Sequence, residues 1–266
     1  MTNATAGPDE PEYVSLQARG RIAHIELRRP ETLNAVSVMM ERQLREALRR
    51  FDTDDELWIC IISGAGRAFC AGADRTERLA GATPAERLVT WSHTPPDGFL
   101  GRTVHWKPVI AAVHGYCLGL GLRLALECDL VVADQTARFG ATETLAGLPG
   151  STIWSGLQVF MPSKIATEML LTGAMYPAEE LHRLGLVNRL TAEGDQLAEA
   201  QRLAGEVLAA PPLTVRANVR ITRMLSVELA EQALRATNPL RLQLTSDFEE
   251  AARAFAEKRP ARFTGT

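Results

Sequence analysis

Two glycine-rich segments and one glutamate are the parts of this chain whose residue types could do chemistry. FCAGAD covers residues 69–74, HGYCLGLGLRLALECD covers residues 114–129, and Glu143 ends the later run FGATE. Each glycine-rich segment follows an apolar run, and at such a junction backbone N–H groups converge on an anion or a developing oxyanion. The alternative is that the glycines only let a turn pack tightly against a helix. Neither segment is a dinucleotide fingerprint or a P-loop, because the third glycine and the Gly-Lys-Ser/Thr sequence are missing.

Hydrophobic spacing predicts the elements that come before the first segment. Apolar residues alternate with polar ones over residues 13–27 around Arg19-Gly20, which indicates a β-hairpin. Residues 36–51 carry one apolar stripe at helical spacing, which predicts an amphipathic helix. Residues 57–62 form a short apolar run of the kind found in strands that are buried on both faces.

A strand, a helix and a strand are predicted around the second segment. The apolar run 109–113, the helical pattern from about Leu120 to Glu127 and the apolar run 130–133 together indicate a βαβ unit, and hence a parallel sheet covered by helices. Residues 80–104 are irregular and suggest a mobile or substrate-shaping segment.

From Lys164 onward the pattern predicts helices almost exclusively. Residues 197–208, 214–225 and 240–255 are amphipathic, with no strands between them. The sequence therefore predicts an α/β protein with a disordered tail at 1–11, an α/β core at 12–190 and a helical region at 191–266.

Composition limits the class of partner. The 266 residues contain 29 Lys and Arg against 32 Asp and Glu, a formal net charge of −3. Such a balance gives no general attraction to nucleic acid or to an acidic membrane surface. No run approaches the roughly 18 apolar residues of a membrane span, and the first residues lack a signal-peptide pattern. The four cysteines show no CxxC spacing, which favours packing thiols in a reducing cytoplasm over disulfides or a metal site.

Several separated motifs together resemble the crotonase superfamily, the enoyl-CoA hydratase/isomerase family. They are RPETLNAVS (29–37), FCAGAD (69–74), KPVIAAVHGYCLGLGLRLALECDLVVA (107–133), FGATETLAGLPG (139–150), LLTGAMYPAEELHRLGLVN (170–188) and the final AFAEKRPARFTG. The resemblance implies a spiral of ββα units with a helical C-terminal region that packs in trimers, often paired into hexamers. It also implies an acyl-CoA or enoyl-CoA substrate, with coenzyme A entering as part of that substrate and no other cofactor.

The shared chemistry of this family assigns roles to both glycine-rich segments. Two backbone N–H groups stabilise a thioester enolate, and matching the motifs places these donors at Ala73 and at Leu120. The loop of Ala71, Gly72 and Ala73 would also hold the adenine of coenzyme A. Arg75 would meet a phosphate of coenzyme A, or it is a solvated surface arginine.

The acid/base positions differ from those of typical hydratases. Hydratases of the family carry two glutamates; here one position is Arg123 and the other is Glu143. Arginine does not exchange protons near neutral pH, so hydration by the two-carboxylate route is in doubt. A single carboxylate suffices to move a proton from C2 to C4, as the isomerases do. Glu143 could instead be a solvated or ion-paired structural residue.

Arg123 has three interpretations. It pairs with Glu127 one turn along the helix, or it faces Glu143 and lowers the pKa of that carboxyl, or it binds a carboxylate of the substrate. Trp154 either narrows the acyl pocket or belongs to the core. His114 is interpreted as structural, and His93 is a weaker catalytic candidate.

The sequence thus predicts an isomerase or an atypical hydratase. The alternatives are a CoA-thioester hydrolase or C–C lyase of the same family, or an acyl-CoA-binding protein that has lost catalysis.

Overall fold

The apolar runs of the sequence pair into one six-stranded sheet. The computed structural model describes residues 11–75, 77, 98–100 and 106–266. The sheet has the order β1-β2-β3-β4-β6-β9. Its strands are β1 (Val14–Arg19), β2 (Ile22–Leu27), β3 (Ile59–Gly64), β4 (Val109–Val113), β6 (Leu130–Asp134) and β9 (Arg189–Thr191). β1 and β2 form the predicted antiparallel hairpin, and all other neighbours are parallel.

The central strands are apolar throughout because both of their faces are covered. In β3, Cys60 and Ile62 point into the main core, whereas Ile59 and Ile61 point to the opposite face. There they pack against Ala200, Leu203 and Ala204 of a C-terminal helix. This arrangement explains why the run has no alternation of polar residues.

A second, three-stranded sheet was not predicted. It contains β5 (Tyr116–Leu118), β7 (Arg138–Gly140) and β8 (Met175–Pro177), in the order β5-β7-β8. The region after Lys164 is almost wholly helical as predicted, but the sequence did not predict β8 and β9 within it. Each of these strands has only three residues, too few to show a period of two in the sequence.

Eight α-helices are found in the described part of the chain. They are α1 (Val38–Thr53), α2 (Leu120–Glu127), α3 (Ser151–Phe160), α4 (Ser163–Thr172), α5 (Ala178–Leu184), α6 (Gln196–Leu208), α7 (Pro212–Thr237) and α8 (Ser246–Ala256). The bounds of α2 agree with the prediction, and β4, α2 and β6 form the predicted βαβ unit.

The first helix begins two residues later than predicted because Ser37 caps it, its Oγ accepting the N–H of Met40 at 3.0 Å. None of these described helices is long and apolar enough to cross a membrane.

The C-terminal helices differ from their predicted lengths. The predicted helix 214–225 lies inside the longer α7. The prediction of one helix over 240–255 is wrong in its first part, because Arg241 adopts a left-handed conformation at φ +48° between two short 3-10 turns. The long α7 is fixed to the core by a buried ion pair in which Arg223 Nε lies 2.8 Å from Asp129 Oδ1.

Candidate active site

Both glycine-rich segments and the C-terminal helices line one cavity of about 870 Å³. All residues to which the sequence assigned a catalytic or coenzyme A-binding role lie in its wall: Ala71, Gly72, Ala73, Arg75, Leu120, Arg123 and Glu143. The far wall comes from α7, α8 and the turns between them. The same chain therefore supplies the loops and the helices that enclose this space.

Asn34 fixes the loop that carries the first segment. Its side chain is fully buried and donates from Nδ2 to the carbonyl oxygens of Ala65 and Ala68, both at 2.8 Å. Its Oδ1 accepts the N–H of Arg29 at 2.8 Å. The motif 29–37 thus acts as a scaffold for the loop, a role that the sequence did not reveal.

Ala73, the first expected main-chain donor, lies in the cavity wall. The residues on either side of this amide are paired with Val36: the Val36 N–H donates to Gly72 O at 2.7 Å, and the Asp74 N–H donates to Val36 O at 3.0 Å. The Ala73 N–H itself has no hydrogen-bond partner among the described residues. Gly72 has φ +104°, a conformation that favours glycine, and a Cβ there would lie only 3.0 Å from Leu118 O. Any larger residue at this position would strain the backbone and crowd the Leu118 carbonyl.

Leu120, the second expected main-chain donor, also lies in the cavity wall. It is the first residue of α2, where an amide has no partner within the helix, and none is found elsewhere in the described chain. The preceding Gly119 has φ +53°, and a Cβ there would lie 2.9 Å from Glu143 Oε1. A glycine at this position therefore lets the Glu143 carboxyl lie against the main chain directly before the Leu120 amide.

Glu143 is an enclosed carboxyl. Its Oε2 is buried and has no hydrogen-bond partner among the described residues. Burial raises the pKa of Glu143 to about 7, while its own backbone amide and the nearby Arg123 cation act in the opposite direction. The expected lowering of this pKa by Arg123 is therefore present but is outweighed by desolvation.

Arg123 pairs with Glu127 and also lines the cavity. Its side chain is only 4% exposed, and its Nε lies 2.8 Å from Glu127 Oε1. The other oxygen of Glu127 accepts the N–H groups of Phe99 at 2.6 Å and Leu100 at 3.2 Å. The first two interpretations of Arg123 thus hold together: it is ion-paired along α2, and it lies within electrostatic reach of Glu143.

Arg75 stands at the side of the cavity where the first loop meets α8. Its guanidinium carbon lies 4.9 Å from the ring centre of Phe255, and its Nη2 is buried with no partner in the described chain. Partial burial lowers the pKa of Arg75. The interpretation of Arg75 as a solvated surface residue is therefore wrong.

The remaining candidates lie away from the cavity or outside the described residues. His114 Nε2 lies 2.9 Å from Gly66 O and holds the loop, in keeping with its structural interpretation. Trp154 packs against the main core and is not among the described residues that line the cavity, so its core interpretation is correct. His93 and most of the irregular segment 80–104 fall outside the described residues.

Two other parts of the cavity wall were not predicted from the sequence. The first turn of α3 lines the cavity through Ser151, Thr152 and Ile153, and Gln243 and Phe248 line it from the C-terminal region. Gly150 ahead of α3 was a detectable signal, because glycine is acceptable at a helix N-cap. Gln243 gave none, since it lies in a short 3-10 turn within a stretch that the pattern assigned to a helix.

Comparison with known proteins agrees with this architecture. A family model described as enoyl-CoA hydratase/isomerase matches residues 17–266. The (E)-benzylidenesuccinyl-CoA hydratase of Thauera aromatica is 34% identical over 260 residues, covering 95% of this chain and 99% of its own. The 2,3-dehydroadipyl-CoA hydratase of Escherichia coli strain K12 is 34% identical over 249 residues, covering 92% and 96%. A solved structure of a carnitinyl-CoA hydratase from Mycobacterium avium matches with a TM-score of 0.81 at 30% identity, covering 97% of this chain and 100% of that one. The α/β spiral core implied by the motifs is therefore confirmed.

Proposed function

Because the chain belongs to the enoyl-CoA hydratase/isomerase family and acts on an acyl-CoA thioester, we propose that Glu143 is its single acid/base group. The main-chain amides of Ala73 and Leu120 hold the thioester oxygen. One observation carries this proposal: the Glu143 carboxyl lies against Gly119, directly before the second amide, and its Oε2 has no described hydrogen-bond partner. An enclosed carboxyl with one oxygen left without a described partner is suited to exchanging a proton with a bound substrate.

The reaction that these groups support best is a shift of a double bond. The Glu143 carboxylate removes a proton from C2 of a 3-enoyl-CoA, and the electron pair moves onto the thioester oxygen. The two amides stabilise the resulting dienolate, as preorganised donors do without any side chain. The protonated Glu143 then returns the proton to C4, which leaves a 2-enoyl-CoA and an ionised carboxylate.

A second candidate is hydration by the same single carboxylate. The similar proteins of Thauera aromatica and Escherichia coli are both named as hydratases. In this scheme Glu143 takes a proton from water as the oxygen adds to C3, and the same carboxyl delivers a proton to C2. Both schemes use one acid/base group and place the enolate oxygen between the same two amides.

The remaining parts of the proposal concern binding and assembly. Ala71, Gly72, Ala73 and Arg75 would contact coenzyme A, which is part of the substrate, and no metal or other cofactor takes part. A homotrimer or a dimer of trimers is the proposed assembly. The four buried, free thiols suit a reducing cytoplasm as its compartment.

Substitution of Glu143 by Gln tests the proposal. The neutral amide keeps the size of the side chain but exchanges no proton, so turnover should fall by about 10²- to 10⁴-fold. Affinity for the acyl-CoA should stay within a few-fold. The assay follows 3-enoyl-CoA isomerisation and trans-2-enoyl-CoA hydration with the purified protein, with and without a chelator.

The matched control is Arg49→Gln, an exposed residue of α1 that is paired with Glu46. This variant should keep full activity. A Glu143→Gln protein that still turned over either substrate at the wild-type rate would overturn the assignment, and so would activity that the chelator abolished.

A further inference from the structure

A glutamate that the proposed reaction does not use lies one helical turn beyond Arg123. Glu127 is the last residue of α2, and its Oε1 lies 2.8 Å from Arg123 Nε. Both side chains are largely enclosed, with 4% of Arg123 and 19% of Glu127 exposed. Solvent and salt screen such a pair much less than they screen a pair on the surface. The ion pair therefore belongs to the electrostatic surroundings of the main cavity, which Arg123 lines.

The Glu127 carboxylate is held on its other side by the main chain. Its Oε2 accepts the N–H of Phe99 at 2.6 Å and that of Leu100 at 3.2 Å. A Cβ on Gly98 would collide with the same carboxylate, so this turn lies directly against it. Arg45 of α1 fixes the turn in its place, because its Nη1 donates to Gly98 O at 3.1 Å. The helix α1 and residues 98–100 together hold Glu127 in one position.

Arg123 lies one turn after the glycine against which the Glu143 carboxyl packs. The Arg123 N–H donates to Gly119 O at 2.9 Å, and a Cβ on Gly119 would lie 2.9 Å from Glu143 Oε1. Arg123 lines both the main cavity and a small neighbouring cavity of about 40 Å³. Of the two carboxylates, Glu143 lines the main cavity and Glu127 the small one. The Arg123 cation therefore lies in the wall between them.

Among the described residues, Arg123 is the charged group that lowers the pKa of Glu143. The helix α3, which packs against Glu143 at Gly150, has no charged side chain. Arg223 of α7 lines the small cavity but is paired with Asp129. The other charged side chains in the described wall of the main cavity are those of Asp74, Arg75 and Arg259. What fixes Arg123 therefore bears directly on Glu143.

We propose that Glu127 is a positioning residue that fixes the Arg123 cation beside Glu143 and limits how strongly this cation stabilises the Glu143 carboxylate. Glu127 touches no reacting atom and acts through Arg123. Because its charge balances part of the charge of Arg123, the cation favours the ionised form of Glu143 less than it would without Glu127. The inference rests on the proposed function, since it concerns the group assigned there to acid/base chemistry.

Substitution of Glu127 by Gln tests this role through the direction of a pH shift. The amide keeps an acceptor oxygen for Arg123 but removes the balancing charge. The rising limb of kcat/KM against pH for a neutral 3-enoyl-CoA should therefore move to lower pH, by about 0.5 to 1 pH unit. Arg123→Gln should move it to higher pH. Glu127→Asp keeps the charge but withdraws it by one carbon, so it should move the limb in the same direction as Glu127→Gln and less far.

A double-mutant cycle separates an effect through Arg123 from a direct one. In the Arg123→Gln background, Glu127→Gln should leave the limb nearly unchanged. Glu46→Gln, which removes the anion of the exposed pair with Arg49 on α1, is the matched control and should leave the wild-type limb in place. An equal shift in both backgrounds would overturn the proposal. A limb that stayed in place or moved to higher pH in Glu127→Gln would do the same.

Titration of the carboxyl itself needs no turnover. Carbon-13 NMR of glutamate-labelled protein follows the Glu143 signal, which is assigned as the one missing from Glu143→Gln. If no substrate is turned over but the Glu143 midpoint is lower in Glu127→Gln than in the wild type, the proposed reaction fails and the positioning role stands. If Glu143→Gln abolishes turnover but the two midpoints are equal, the reaction stands and the positioning role fails. If circular dichroism shows that Glu127→Gln does not fold, Glu127→Asp gives the same comparison.

Discussion

At the scale of single residues, the surroundings of Glu143 set the pKa of the proposed acid/base group. Burial raises its pKa to about 7, whereas the Arg123 cation alone would lower it. A base with a pKa near the working pH is partly ionised and also returns its proton readily. Replacing the second carboxylate of the hydratase pattern by Arg123 thus partly offsets the desolvation of the single carboxyl that is left.

The pH dependence of isomerisation follows from this pKa. Because the carboxylate form removes the proton, kcat/KM for a neutral 3-enoyl-CoA should rise with pH through about 7 and level off above it. In Arg123→Gln the cation that lowers the pKa is gone, so the rising limb should move to higher pH. Steady-state rates over a range of pH measure the rising limb of the wild type and that of Arg123→Gln. A wild-type limb near the usual pKa of a glutamate, or a limb unmoved in Arg123→Gln, would contradict this account.

At the scale of elements, a segment remote in sequence holds the first amide in place. The motif 29–37 pairs with the loop on two sides, through Asn34 and through Val36. An ion pair between Arg29 and Asp74 at 3.0 Å joins the same two segments. The position of the Ala73 amide therefore depends on bonds made by Arg29, Asn34 and Val36, none of which is among the described residues that line the cavity.

Substitution of Asn34 by Ala should separate positioning from chemistry. It leaves two buried carbonyl oxygens and the Arg29 N–H without partners, so the free energy of unfolding should fall by about 2–4 kcal/mol. We also expect kcat to fall, because the loop that holds the Ala73 amide loses its support. Urea denaturation and steady-state kinetics measure the two effects. Gln201→Ala, at an exposed position of α6, is the control and should change neither. An Asn34→Ala protein of wild-type stability would contradict the scaffold role.

Prediction from the sequence succeeded where a single local pattern determines the structure. The hairpin around Gly20 and the helix from Leu120 to Glu127 were both found in this way. The three-residue strands escaped because their pairing partners are distant in the sequence. The motif resemblance located Glu143, but it could not give the charge state of the carboxyl, which depends on how completely the fold encloses it. The part of the wall formed by Gln243 depends on the path of the chain after α7, which no local pattern records.

At the scale of the whole molecule, α7 has two apolar faces. Its inner face carries Val219 and Ala230, which are buried, and Arg223, which is paired with Asp129. Its opposite face exposes Ile221 and Met224, together with Leu213 and Leu225. A continuous apolar face of this kind is typical of an interface between subunits, and it supports the proposed trimer or hexamer.

A charge on this face should weaken the assembly. Ile221 is 66% exposed in the single chain, and Ile221→Asp would place a carboxylate at the centre of the proposed interface. We expect the wild type to sediment as a trimer or hexamer and the variant to shift to smaller species. Val38→Asp, at a site that is 57% exposed on α1, is the matched control and should not dissociate. A wild-type protein that is monomeric at micromolar concentration would reject the assembly.

The division of the cavity into two walls has a consequence for how its selectivity can evolve. The proposed donors at Ala73 and Leu120 are main-chain groups, so their hydrogen bonds would survive many changes of side chain at those positions. The opposite wall includes side chains such as Gln243 and Phe248, which lie on elements separate from the donor loops. Mutations there would redirect the protein to new acyl groups while the catalytic step was inherited intact. A library varied only at Leu242, Phe255 and Phe263, which line the cavity without being buried in the core, should therefore yield altered substrate profiles far more often than loss of function.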